Sequence, residues 1–336
     1  MLKTILTLVL LIQSAPAWEP LNSGVTTSIR GIAAVDANVC WIGTKAGVAR
    51  TTNAGKNWHF TKIGDDSLDF RDLHAFDAQR CIAMSAGTGE ASRLYLTSNG
   101  GKTWQLTHQN KQPKGFFNGI AFRDKNHGIL AGDPIGGKLF LLATDDGGAT
   151  WHRIAEQNAP NMHDGEHAFA ASGTHLTVNK NGHVWVTSGG NVARVFHSKD
   201  WGKTWQTIDT PMIAGEPSTG IFSIAFHGQN GIAVGGDYEK ESEGHDNAMR
   251  TSDGGKSWQL IKRTDGHTPF PFRSCIGYID AETLVAVGPS GSNISRDGGA
   301  TWKPLPDTGG FHTLSIAAGV VWTAGANGRL GRMENL

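Results

Sequence analysis

Six copies of one eight-residue phrase constrain this chain more than any other feature. They read TTNAGKNW at 51–58, TSNGGKTW at 97–104, TDDGGATW at 144–151, SKDWGKTW at 198–205, TSDGGKSW at 251–258 and SRDGGATW at 295–302. The closing tryptophans, Trp58, Trp104, Trp151, Trp205, Trp258 and Trp302, are separated by 46, 47, 54, 53 and 44 residues. A period of that size is the mark of stacked or radial supersecondary units. At the third position stands Asn53, Asn99, Asp146, Asp200, Asp253 or Asp297, whose side chain accepts backbone hydrogen bonds in a tight turn. The glycines that follow tolerate positive φ, a Ser or Thr ahead of the Trp adds local polar bonding, and the indole covers the turn. In SKDWGKTW, Trp201 replaces the first glycine, so that turn is expected to rely on Gly202 alone. These acids and amides read as structural: they lack the dense carboxylate ladder of a calcium loop.

The text ahead of each turn repeats as well. GIAAVDANVCWIGTKAGVARTT, GIAFRDKNHGILAGD and SIAFHGQNGIAVGGDY each give a strand, a polar turn and a Gly-terminated strand. A third strand runs into the turn and a fourth starts at the Trp, which is the four-stranded antiparallel blade of a β-propeller. Blades are expected to start near residues 28, 68, 115, 166, 218 and 272. After Trp302, FHTLSIAAGVVWTAGANGRLGRM at 311–333 supplies only three strands. An unpaired edge exposes a row of backbone groups. WEPL at 18–21 resembles WKPL at 302–305, a fourth strand in its usual place after the turn. The expected fold is therefore all-β: a seven-bladed propeller over residues 18–336, with the N-terminal strand completing the last blade.

Ahead of that domain, residues 1–17 read as a signal peptide. Lys3 supplies the positive end, residues 5–12 an apolar stretch, and Ala15-Pro16-Ala17 a small-residue cleavage site. Export to a periplasmic or extracellular space is the expectation. No later segment approaches the twenty apolar residues of a membrane-spanning helix. The chain has 30 basic and 30 acidic residues, and removing the leader takes away only Lys3. That balance, without a basic run, argues against a nucleic-acid partner. Cys40, Cys81 and Cys275 cannot all pair within one chain; they read as buried thiols, with one disulfide and one free thiol as the alternative.

The S/T-x-D/N-x-G-x-T/S-W phrase resembles the Asp-box, or bacterial neuraminidase repeat, found in sialidases, xyloglucan-degrading hydrolases, sortilin-type receptors and photosystem II assembly factors. A single ring of this length most resembles the photosystem II assembly and stability factors and their nonphotosynthetic bacterial relatives, often labelled glycosyl hydrolase-like or oxidoreductase. GDPIGGKLFLLATDDGGATW at 132–151, GEHAFAASGTHL at 165–176, ARVFHSKDWGKTW at 193–205 and GIFSIAFHGQNGIAVGGDY at 220–238 tighten the match. The resemblance implies a protein or membrane-protein partner, and a photosystem client only for a photosynthetic source. It is specific for fold and silent on chemistry, because the repeated residues build turns.

Candidate site residues come from the positions that do not repeat. Aligning the inner strands brings Arg30, Arg71, Asn118, Phe222 and His312 to comparable places, with Arg273 displaced by one residue. At the channel entrance they would form a basic ring able to orient an acidic peptide or an anionic carbohydrate. The competing reading pairs the arginines with neighbouring acids such as Asp72. A second group, Asp133, Glu166, Arg194, Asp237 and Asn247, includes residues at strand ends and entries and is expected to converge near the axis despite its separation in sequence. Two of its carboxylates at glycosidase spacing would cleave a glycan, with Asp133, Glu166 and Asp237 as candidates; a satisfied hydrogen-bond network is the plainer reading. The sialidase pattern is absent, since neither a Phe-Arg-Ile-Pro signature nor a Tyr/Glu strand occurs. His163 and His167 lack the spacing of a zinc hydrolase, and no Gly-rich segment has the context of a nucleotide cradle. No metal or cofactor is expected. Insertions at 155–169 and 237–250 are expected to project as loops suited to partner recognition.

Overall fold

The computed structural model describes residues 16–306 and 309–334. Seven sheets surround one axis, and each contains a four-stranded antiparallel blade. Blade 1 runs Gly31–Ala34, Cys40–Thr44, Gly47–Thr51 and His59–Lys62 from the inside outward. Blade 2 comprises Asp69–Ala75, Cys81–Ala86, Arg93–Thr97 and Gln105–Gln109; blade 3 comprises Phe117–Phe122, Gly128–Ile135, Lys138–Thr144 and His152–Arg153. Blade 4 has Leu176–Val178, Val184–Thr187, Arg194–Ser198 and Gln206–Asp209, and blade 5 has Glu216–His227, Asn230–Asp237, Ala248–Thr251 and Gln259–Leu260. Blade 6 is Cys275–Tyr278, Leu284–Gly288, Gly291–Ser295 and Lys303–Pro304.

Blade 7 takes Phe311–Ala317, Val320–Gly325 and Leu330–Met333 from one end of the chain and Glu19–Leu21 from the other. Glu19 pairs with Arg332, Pro20 with Gly331 and Leu21 with Leu330. Pro20 can occupy this outermost strand because an edge leaves its missing N–H without consequence. Trp18 anchors the closure against Phe311, ring centroids 5.4 Å apart. The leader expected at residues 1–17 falls almost wholly outside the described residues.

Each repeated turn is built around its first residue, a role the repeat alone did not single out. The hydroxyls of Thr51, Thr97, Thr144, Ser198, Thr251 and Ser295 donate to the Asn or Asp two positions on, at 2.7–3.1 Å. The same hydroxyls accept the N–H of the glycine four positions on, at 2.8–3.1 Å. The hydroxyls of Ser257 and Thr251 hold the Asp253 carboxylate below its ordinary range, as expected of an acceptor wrapped in donors. Five of the indoles close the turn by donating to a glycine carbonyl at 3.0–3.2 Å. The fourth turn departs from expectation: Trp201 itself adopts φ 59°, where the neighbouring blades place Gly147 or Gly254, so two successive residues take positive φ. The Arg123 guanidinium stacks 4.5 Å from the Trp201 ring and covers the displaced indole.

Successive blades are stitched by side chains reaching the next turn. Trp41 Nε1 donates to Asp77 O, Arg80 Nη2 to Gly147 O, Trp185 Nε1 to Gly254 O and Arg332 Nη2 to Ala37 O, at 2.7–3.2 Å. Apolar clusters fill the wedges between blades. The three cysteines are all buried and unpaired, so the disulfide alternative is not realised.

Blade 4 corrects one boundary. Its inner strand does not begin at residue 166 but at Leu176. Glu166–His167 instead pairs with Gly189–Gly190, which pairs in turn with the Glu216–His227 strand of blade 5. The intervening residues 168–175 cross the axis.

Candidate functional site

The crossing segment fills the channel. Ser172 Oγ donates to Ser274 O of the blade 6 entry at 3.0 Å, and Thr313 Oγ1 of blade 7 donates to Ser172 O at 3.5 Å. Thr174 Oγ1 bonds Ser223 Oγ of blade 5 at 2.7 Å. A Cβ at Gly173 would lie 2.3 Å from Asp72 Cγ of blade 2, and one at Gly119 of blade 3 would lie 2.7 Å from Gly173 O. Residues 172–174 thus meet five other blades, which is feasible only at the axis. Their small side chains and the positive φ of Gly173, 74°, let backbone pass where a larger residue would clash.

Asp72 faces this plug rather than the arginines. Its carboxylate accepts Leu73 N at 2.8 Å and Ile120 N at 2.7 Å. Burial outweighs those bonds and pushes its pKa up to about 7. The acid paired with Arg71 is Asp69, at 2.7 Å.

With the channel closed, the mouth becomes a bowl of 290 Å³. Arg30, Arg71, Phe222, Phe272, Ser274 and His312 come from the inner ends of blades 1, 2, 5, 6 and 7, and the crossing segment supplies Phe169 to Ala171 as its floor. Phe169 and Phe222 stack at 3.8 Å, Phe272 stands edge-on to Phe222 at 4.8 Å, and Tyr238 meets both Phe169 and Phe222 edge-on near 6 Å. Tyr238 is 44% exposed. The 237–250 insertion folds back here, with Glu241 on the rim and Glu243 O accepting Phe272 N.

The basic ring is therefore narrower than the alignment suggested. Arg30 is half-buried; burial and the adjacent Arg71 lower its pKa, opposed by Asp69 and Glu241. Burial and Arg30 lower His312 to about 4, so it is neutral at physiological pH. Two guanidiniums over an aromatic floor, with one carboxylate at the edge, describe the bowl better than a cationic ring. Asn118 lies below it, 1% exposed and donating to Asp133 Oδ1 at 2.7 Å. Arg273 is also buried, donating to Asn293 Oδ1, Ser290 Oγ and Phe272 O. The aromatic character was visible beforehand only in Phe222; Phe169 and Tyr238 lay in segments read as loops.

Within the second group Glu166 and Arg194 meet, and Asp133, Asp237 and Asn247 each bond elsewhere. Glu166 is sealed in a pair with Arg194: Oε1 accepts Arg194 Nε and Ser188 Oγ, while Oε2 accepts Arg194 Nη2 and His163 N. All four lone-pair directions are occupied, which leaves no site for a reacting proton. Burial raises the pKa of Asp133 against its bond from Asn118. Asp237 caps its own turn by accepting Glu239 N at 2.9 Å, and Asn247 Nδ2 donates to Phe270 O at 2.9 Å. Among the described residues no group of three His, Cys, Asp or Glu is gathered for a metal, and no helix is long and apolar enough to cross a membrane.

Comparison with family models and with curated proteins returns no match. Solved structures do match. A structure titled "YCF48 bound to D1 peptide" superposes with a TM-score of 0.71 at 14% identity, over 96% of this chain and 99% of that one. YCF48 from Cyanidioschyzon merolae gives 0.67 at 14% identity, over 95% and 99%. An ancestral GH74 enzyme gives 0.62 at 16% identity, over 94% of this chain but 46% of its own. At these identities the likeness is one of fold. The chain shares the fold of the YCF48 structures over 95–96% of its length.

Proposed function

We propose that this chain is an exported propeller that binds an exposed segment of another protein in the axial bowl and so assists its assembly or stability. The carrying observation is the bowl itself: the stacked Phe169–Phe222 pair lines one cavity with Arg30 and Arg71. Such a surface suits a short peptide bearing an apolar side chain next to a carboxylate, the first covering the rings and the second taking charge-assisted bonds. A closed ring holds these groups in place before binding, so little ordering cost falls on the propeller. A like-folded protein whose structure is titled as bound to a peptide supports this reading. The export reading requires that cleavage after Ala17 leave the closing strand whole, and it would remove nothing from Glu19–Leu21.

Crosslinking of the natively expressed protein, followed by binding of the captured segment as a synthetic peptide, tests the reading. Arg30→Gln is expected to weaken that peptide about tenfold, as for loss of one charge-assisted bond. Arg71→Gln should do less, because Asp69 already engages Arg71. A protein that stays monomeric and captures nothing, or a peptide indifferent to Arg30, would overturn it.

The carbohydrate-cleaving alternative needs two free carboxylates across an open cleft. A glycan-hydrolysis screen on the parent chain and on Asp133→Asn and Asp237→Asn variants tests it, since Glu166 is already committed to Arg194. Activity lost in either variant would favour it over the binding role.

A further inference from the structure

A second concave site lies away from the axis, between the outer halves of blades 2 and 3. One wall is the end of the Gln105–Gln109 strand and the loop through Gln112; the other is Ile135, Phe140, Leu142, Arg153 and Glu156. Its volume, 640 Å³, is more than twice that of the bowl and within the size range of small-molecule sites. Nothing in the peptide-binding reading uses it.

We propose that this groove binds a small organic anion, a carboxylate joined to a compact apolar body, with Arg153 and Asn110 receiving the head group and Phe140, Ile135 and Leu142 the body.

The polar inventory carries the argument. Arg153 lies over Phe140, its guanidinium carbon 3.8 Å from the ring centroid, which fixes the fork in one plane. Its Nη1 is shielded from solvent and has no hydrogen-bond partner within the protein. The nearest acid, Glu156, stands 3.9 Å from Nη2 and is 64% exposed, a weak and screened contact. Asn110 is 1% exposed; its Oδ1 accepts Gln112 N at 3.0 Å, while its Nδ2 has no partner. Lys111 adds an exposed ammonium on the same wall. Two shielded donors and a nearby cation therefore meet no matching acceptor, a deficit that an anion fills. The apolar body is received by half-buried Ile135, over the edges of Phe140 and Leu142, which are otherwise buried beneath Arg153 and against Phe117. An inorganic anion would leave Ile135 wet.

Phenylpropanoate is the probe, with phenylpropanol as its neutral counterpart, each titrated into the whole mature chain by calorimetry and ligand-observed NMR. Saturable one-site binding of the carboxylate, at least about tenfold tighter than the alcohol, is expected. Arg153→Gln should remove most of that preference, Arg153→Lys should retain part of it, and Lys111→Gln should weaken binding about twofold. Arg30→Gln, in the bowl, should leave it unchanged, which separates this site from the peptide site. Equal binding of acid and alcohol, no saturable binding, or a loss on Arg30→Gln instead would overturn the proposal. Should Arg153→Gln fail to fold by circular dichroism, the acid-to-alcohol ratio and Lys111→Gln still decide.

Discussion

Blades 3 and 4 share the same closing turn phrase and become different objects. Blade 3 keeps all four strands in one sheet, from Phe117–Phe122 to His152–Arg153. Blade 4 keeps a three-residue inner strand, Leu176–Val178, and sends the preceding chain across the axis. It also lends Gly189–Gly190 to the sheet of blade 5. Where the chain follows its repeat it makes a scaffold; where it departs, it closes the channel and lays the floor of the bowl. The departure is held by buried polar bonds instead of a regular ladder, so the two blades should respond differently to equivalent damage.

The largest contrast is expected between two glycines of positive φ. Gly173→Val in the crossing segment would drive a side chain into Asp72, and a loss of more than about 5 kcal/mol is expected in denaturant unfolding. Gly137→Ala, in a blade 3 hairpin with open space around it, should cost about 1 kcal/mol. A similar cost at both positions would break the comparison.

Glu166→Gln comes next. It leaves Arg194 buried without its charge partner, and about 3–5 kcal/mol should be lost. The exposed Lys62–Asp66 pair of blade 1 is the control, and Asp66→Asn should change stability by less than about 1 kcal/mol.

Asp72 sharpens the comparison through pH. Its folded pKa of about 7 lies above its ordinary value of 3.8, so the folded state holds this proton after the unfolded chain has released it. The associated stability is complete below about pH 4 and is lost as pH rises toward 7. Asp72→Asn should flatten that decline, by up to about 4 kcal/mol between the two limits, in unfolding followed across this window. A variant whose stability falls as steeply as the parent's would assign the decline to other groups.

Apart from the two control substitutions, the smallest effect is expected in the repeat itself. Thr144→Val removes the hydroxyl that bonds both Asp146 and Gly148 N, and about 1–3 kcal/mol should be lost from thermal unfolding. Ser198→Ala in blade 4 should cost a similar amount, since its turn keeps both bonds despite Trp201.

These contrasts also explain what was legible beforehand. The turns, the seven blades and the pairing of WEPL with the last blade follow from local rules: hydroxyl, amide and glycine chemistry within eight residues, and an edge that needs a partner. The site was less legible. Arg30, Arg71, Phe222 and His312 were found by alignment because they sit on inner strands in register. Phe169 escaped because it belongs to the segment that leaves the register, and Tyr238 because its loop folds inward rather than out. Asn118 and Arg273 occupy aligned positions, yet their side chains turn to Asp133 and Asn293. Alignment gives a residue's place along a strand, not which neighbour its side chain will meet.

By itself, then, the amino-acid order determined a ring of repeated blades and the joining of its two ends, since both rest on contacts close in sequence or on a missing strand. Only the tertiary structure decided that the ring has no open channel, that its mouth is aromatic with two guanidiniums, and that Glu166 is bound to Arg194. Those outcomes depend on groups from blades far apart in the chain meeting at one axis, where burial and packing choose the partners.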